Sequence, residues 1–336
     1  MKRIALAAMF LIMMGCASVG QPEKTFASAY AEGYKTGFQD GFEKSGAMAQ
    51  KTPPPANNYG SNNLSYKNYG YGNYGQSQKG TLDYAVQIGD LKSVQELVEK
   101  KSADVNGLNK SGYSPLQMAS RLGFVEIVKY LIKKGAGVNF VSSDNYTPLK
   151  EALTYKKANI AEVLLNNGAD VKYIDNSGYS MLYWAAQSGN IKLVEMMIKK
   201  GASPTIVASN GFGPTLVSVS MGFFDVATYL LENGGNPDES DTYSGLSCLM
   251  YAVRNNRQNL VDLIVAKTKN INFTEKNGKT ALHLAVEYNR LNMVKSLVKA
   301  GANKEMKDNN GNTPEDTAHN RGLSPILDFL KSSKKI

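Results

Sequence analysis

Apolar residues in this chain come in short bursts at helical spacing, and the bursts themselves recur. Val94, Leu97 and Val98 are followed by Val128, Leu131 and Ile132, by Val194, Met197 and Ile198, and by Val294, Leu297 and Val298. Each set lies on one face of an amphipathic helix. Ahead of each burst, a stretch centred on a small residue predicts a shorter helix, with centres at Ala85, Ala119, Ala152, Ala185, Ser218, Ala252, Ala285 and Ala318. The steps between centres are 34, 33, 33, 33, 34, 33 and 33 residues. A fixed period in this range belongs to a solenoid, whose units are too small to bury their own apolar faces and must stack.

The polar positions supply the punctuation. Ser114-Pro115, Thr147-Pro148 and Thr313-Pro314 place a hydroxyl directly before a proline. That order suits an N-cap followed by a first helical residue whose missing N–H would have had no partner. Four residues past each centre stand Gly89, Gly123, Gly189, Gly222, Gly322, Asn256 and Asn289, residues that tolerate the left-handed conformation at a helix end. Lys156 alone departs from that pattern. The second helix stops at Gly135-Ala136, Gly168-Ala169, Gly201-Ala202 or Gly301-Ala302. The unit is therefore helix, turn, helix, loop, and the fold class all-α.

These letters resemble the ankyrin repeat, DxxGxTPLHxAxxxGxxxxVxxLLxxGAxxN, closely from residue 111 to 304 and more loosely at both ends, about three quarters of the chain. The resemblance implies a solenoid of about eight units over 81–331 that binds another protein and is not an enzyme. Three departures stand out. Gly213-Pro214-Thr215 scrambles the capping turn of the fifth unit, Lys267-Thr268 replaces the glycine ending the sixth, and Glu315 replaces the core leucine of the eighth. A polar residue at that last site fits a terminal cap whose outer face meets water.

In ankyrin proteins the residue between the hairpin glycine and the capping threonine, and the two residues before the helix-ending glycine, point into the concave face. Carried onto this chain, the hairpin position reads Tyr113, Tyr146, Tyr179 and Phe212, then Leu246, Lys279 and Asn312. The helix positions contribute Arg121, Leu122, Tyr155, Gln187, Arg254 and Tyr288 as candidate partner contacts. Four consecutive aromatics predict a ladder with rungs about 8–10 Å apart, the spacing of packed helices. Exposed, such rings would be strong contact residues; the other reading is that each merely covers the neighbouring hairpin.

The N-terminus carries a different signature. Met1-Lys2-Arg3 is basic, 4–14 is apolar but too short to span a bilayer, and Gly15-Cys16 follows where a cleavage site belongs. This looks like a bacterial lipoprotein signal over 1–15, with Cys16 acylated and 16–28 the start of the mature chain. An ordinary secretory signal with a coincidental cysteine is the alternative. Met13 and Met14 stand where such signals carry leucine and a small residue, and Ala17 favours the outer membrane over the inner. The expectation is a lipid-anchored envelope protein facing the periplasm.

Between anchor and solenoid, 29–48 reads as a helix with Gly33, Gly37 and Gly41 beside Tyr30, Tyr34, Phe38 and Phe42. Self-association or docking through 29–46 is one reading of that stripe, and a marginal helix resting on its own solenoid or on the membrane the other. Residues 49–80, rich in Pro, Asn, Tyr and Gly, read as an unstructured tether, and 332–336 as a basic tail.

Charge and chemistry narrow the function class. Of the formal net charge of +9, the signal-like segment supplies two and residues 17–80 another two. Five remain for 81–336, three of them from Lys331, Lys334 and Lys335, so the solenoid lacks the dense basic face that nucleic acid requires. Cys248 is the single cysteine besides Cys16, which leaves no disulfide framework. His283 stands where the resemblance assigns an imidazole bonded to the neighbouring loop, and His319 lies in the last unit; neither has a second ligand at metal spacing. No catalytic, metal or cofactor site is expected, and no small-molecule substrate. The functions that fit are a protein-binding scaffold acting as inhibitor or accessory of an envelope enzyme, an adhesive or assembly lipoprotein working through 29–80, or a host-directed effector, which a lipid anchor disfavours.

Overall fold

The computed structural model describes residues 78–333; the expectations for 1–77, Cys16 among them, and for the last three residues lie outside these. Sixteen helices in eight antiparallel pairs make up the described residues. The first helices are α1 (Leu82–Gln87), α3 (Pro115–Leu122), α5 (Pro148–Thr154), α7 (Met181–Ser188), α9 (Pro214–Met221), α11 (Cys248–Arg254), α13 (Ala281–Glu287) and α15 (Pro314–Asn320). Their partners are α2 (Leu91–Lys100), α4 (Val125–Lys133), α6 (Ala158–Asn166), α8 (Ile191–Lys199), α10 (Phe224–Glu232), α12 (Gln258–Val265), α14 (Leu291–Lys299) and α16 (Ser324–Ser332). Each first helix packs on the first helix of the next unit, and each second helix on the next second helix. The result is an all-α solenoid of eight stacked helix pairs.

The first helices start where the hydroxyls predict. Thr81, Ser114, Thr147, Ser180, Ser247, Thr280 and Thr313 are N-caps whose side chains accept a backbone N–H three residues on. The residues centring these helices are buried to a few per cent or less. Their small side chains let successive helices approach while leucines such as Leu116, Leu149 and Leu182 fill the layer between units. All eight closing positions have positive φ, from 53° at Asn289 to 97° at Gly123. Lys156 is one of them, at 55°, so its departure is one of residue type and not of conformation.

The other departures are explained by side chains from outside the motif. Gly213 cannot cap α9, and the Glu239 carboxylate of the next unit does so instead. Its Oε2 accepts the N–H groups of Gly213 at 3.1 Å and Leu216 at 2.7 Å. A Cβ at residue 213 would stand 2.6 Å from that carboxylate, so the glycine is what admits the substitute cap. At the end of α12, Asp238 accepts from the Lys269 N–H at 3.1 Å and from the Thr268 hydroxyl. The same loop position in earlier units is asparagine: Asn106 bonds Gly135 and Gly137, and Asn139 bonds Gly168 and Asp170. Glu315 is half-buried in a final pair whose buried apolar side chains include Ala318, Ile326 and Leu330.

Candidate partner-binding face

The position three residues after each cap ties one unit to the hairpin of the next, with a different chemistry each time. Gln117 donates through Nε2 to the Tyr146 carbonyl at 2.6 Å. His283 accepts the Thr280 N–H on Nδ1 at 3.1 Å, so Nε2 carries the proton that reaches the Asn312 carbonyl at 3.1 Å. Burial holds its pKa below the ordinary value, and the ring has the structural place the motif assigns it. Lys150 does the same work with a charge: its ammonium is 2.9 Å from Asp175 Oδ2, and the two side chains are 7% and 2% exposed. Asp175 is otherwise fully engaged, accepting from Trp184 Nε1 at 3.0 Å and from the N–H groups of Ser177 and Tyr179. The Lys150 ammonium also lies 4.0 Å from the Tyr146 ring centre and 5.4 Å from that of Trp184.

The hairpin aromatics stand around this network, though not as four open rungs. Tyr113 is only 7% exposed, and its hydroxyl donates to Asp144 Oδ2 on the next hairpin at 2.8 Å. Burial and then the Asp144 carboxylate raise its pKa. Its ring therefore covers the neighbouring hairpin, which corrects the expectation of an exposed contact there. Tyr146, Tyr179 and Phe212 are half-buried. Tyr179 stacks on Tyr183 with centroids 4.1 Å apart, sets an edge against Trp184, and accepts from Asn210 Nδ2 of the next hairpin at 2.5 Å. Burial pushes the Tyr146 hydroxyl up to about 12.

On the helix ends, Arg121 and Leu122 are half-buried and Tyr155 is exposed. The Arg121 guanidinium lies over the Tyr155 ring at 4.5 Å, which joins two candidates from adjacent units into one feature. Gln187 is half-buried at the end of α7, with its amide 3.5 Å from the Tyr183 hydroxyl. Arg254 and the exposed Tyr288 fall in the sixth and seventh units, away from the aromatic cluster.

Two sets of residues escaped the motif. One is the charged pair with Trp184 just described, at positions that normally hold His, hairpin Asp and a core residue. The other is a column of aliphatics directly before each hairpin: Leu108, Val141, Ile174 and Val207, each 33 residues apart and 52%, 40%, 45% and 38% exposed. In the next three units the position becomes Ser240, Thr274 and Lys307. The period was in the sequence, but exposed and buried aliphatics look alike there. Both the aliphatic column and the aromatic column run through units two to five and then turn polar or cease to be aromatic. Cys248 is fully buried, its thiol held well above the usual range by desolvation first and by Glu239 second, which makes it core.

The family model for ankyrin repeats in three copies matches residues 82–175, 215–308 and 249–335, and the single-repeat model matches 177–206. Among solved structures, the chain is similar to the ankyrin repeat domain of Bcl-3, described as a unique member of the IkappaB protein family. Identity is 25% and the TM-score 0.54, over 66% of this chain and 100% of that one. No curated protein sequence matches.

Proposed function

The chain belongs to the ankyrin-repeat family, and from that premise we propose that it is a non-enzymatic scaffold binding a partner protein through units two to five. One observation carries the reading: the exposed column before the hairpins is aliphatic through those four units and becomes Ser240, Thr274 and Lys307 beyond them, and the hairpin column is aromatic through the same units and not after them. An exposed aliphatic edge beside half-buried aromatics and the Arg121–Tyr155 pair is the composition of an interface core, apolar and aromatic with arginine and few other charges. The half-buried rings Tyr146, Tyr179 and Phe212 would gain by losing their remaining water contact to a partner.

The N-terminal sequence supports an anchor at Cys16 in the cell envelope, facing the periplasm, which makes the partner an envelope protein. An inhibitor or accessory of an envelope enzyme is the form of scaffold we favour. Capture from envelope extract by the full chain tests it. Tyr146→Ala and Ile174→Ser should reduce capture severalfold or more, while Lys279→Ala and Asn312→Ala leave it intact. Capture lost on removing 29–80 and unaffected by Tyr146→Ala would instead make the chain an adhesive lipoprotein.

A further inference from the structure

The aliphatic column before the hairpins does not stand alone. Exposed lysines run beside it: Lys110 two residues after Leu108, Lys172 two before Ile174, and Lys133, Lys199 and Lys200 at the helix ends that lead into the loops. Asn106, two residues before Leu108, holds the turn that follows Lys133, accepting the Gly137 N–H at 2.8 Å and donating to the Gly135 carbonyl at 3.2 Å. A Cβ on Gly201 would stand 3.9 Å from Lys172 Cε, so Lys172 lies against the turn that follows Lys199 and Lys200. Among the described residues none of these five lysines is in an ion pair. Three carboxylates share the edge. Asp104 and Asp170 each accept a backbone N–H two residues on at 2.8 Å, and Asp144 takes the Tyr113 hydroxyl. The cations outnumber them, and the edge is basic as well as apolar.

The step of the column selects the conformation of what lies on it. Packed helices stack at about 8–10 Å, and the column has one member per unit. A polyproline-II segment rises about 3.1 Å per residue with three residues per turn, so every third side chain falls in line at about 9 Å. A β-strand repeats its face at about 7 Å and loses step within a unit or two. An α-helix comes near only through residues seven apart, at about 10.5 Å. We propose that the partner lays an extended, acidic segment along this edge in the polyproline-II conformation. An aliphatic residue at every third position meets Leu108, Val141, Ile174 and Val207, and carboxylates between them meet the lysines. The inference rests on the proposed binding role and names the chemistry of its partner. Such a segment is extended before it binds, which reduces the ordering cost, and its charge makes association fast and sensitive to salt.

The probe is a labelled synthetic peptide, Leu-Pro-Glu repeated four times, titrated with the full chain and read by fluorescence anisotropy. It should bind at least about tenfold more tightly than Leu-Pro-Lys repeated four times, which keeps the spacing and reverses the charge. It should also bind severalfold more tightly than Leu-Pro-Glu-Ser repeated four times, whose equal leucines and charges fall about 12 Å apart. Ile174→Ser and Lys172→Glu, both at exposed positions, should each weaken it severalfold, while Lys307→Ala leaves it unchanged. No binding of the first peptide overturns the proposal, as does binding indifferent to charge, to spacing or to both substitutions. Capture from envelope extract tells this failure from that of the binding role. Capture reduced by Tyr146→Ala and Ile174→Ser while the peptide fails removes the acidic segment and keeps the role; capture unaffected by either substitution removes the role and the proposal with it.

Discussion

Lys156 occupies a left-handed turn that glycine or asparagine fills in the other seven units, at φ 55° with an exposed side chain. A Cβ in that conformation costs about 1–2 kcal/mol, while glycine loses about 0.5–1 kcal/mol more than other residues in chain entropy on folding. Lys156→Gly should therefore stabilise the solenoid slightly, by roughly 0.5–1 kcal/mol, read from urea denaturation. The reverse argument ranks two glycines. A Cβ on Gly189 would meet the Phe223 ring at 2.5 Å, a packed wall, whereas one on Gly123 would meet the pliable end of Lys157 at 3.2 Å. Both have positive φ, so both valine variants are strained, by roughly 1–3 kcal/mol for the backbone alone. Only Gly189→Val adds a steric clash, and it should lower the denaturation midpoint clearly further than Gly123→Val.

At the level of the element, the fifth unit shows how a helix survives losing its own cap. Glu239 reaches from the sixth unit to the start of α9, and its burial pushes its pKa up to about 7 despite the N–H groups it accepts. Glu239→Ala removes the acceptor and leaves two buried N–H groups bare, for a loss of roughly 1–3 kcal/mol. Glu239→Gln keeps an acceptor and removes the titration. Glu239 and Glu151 both carry pKa values above the ordinary 4.5 in the folded chain. Between 4.5 and about 7 the folded state holds more protons than the unfolded one, so stability falls as pH rises through that window and levels off above it. Melting temperatures against pH should show this decline, and either Gln substitution should flatten part of it.

The period, the helix pairs, the caps and the closing turns were legible because each is set by local chemistry repeated eight times. What local reading could not reach was substitution across units. Glu239 caps a helix that begins 25 residues before it, and Lys150 replaces a histidine by pairing with an aspartate of the next hairpin. Both depend on which units touch. The candidate face was half legible for a related reason: motif register gives a side chain's direction, but Tyr113 is buried because Asp144 happens to stand where its hydroxyl arrives. Over the whole molecule this leaves a gradient along the solenoid axis in the column before the hairpins, aliphatic in units two to five and Ser240, Thr274 and Lys307 after them, while the sixth hairpin itself still carries Leu246 and an exposed Tyr243. Leu108, Val141, Ile174 and Val207 are exposed, so serine at any of them should leave the melting temperature nearly unchanged. If a partner covers them, each substitution forfeits about 1 kcal/mol of buried aliphatic surface, or roughly fivefold in affinity. Thr274→Ala and Lys307→Ala, two and three units beyond the last aliphatic member, should change affinity little. Equal losses along the whole column, measured by titration with the captured partner, would place the contact on all units and remove the gradient's functional meaning.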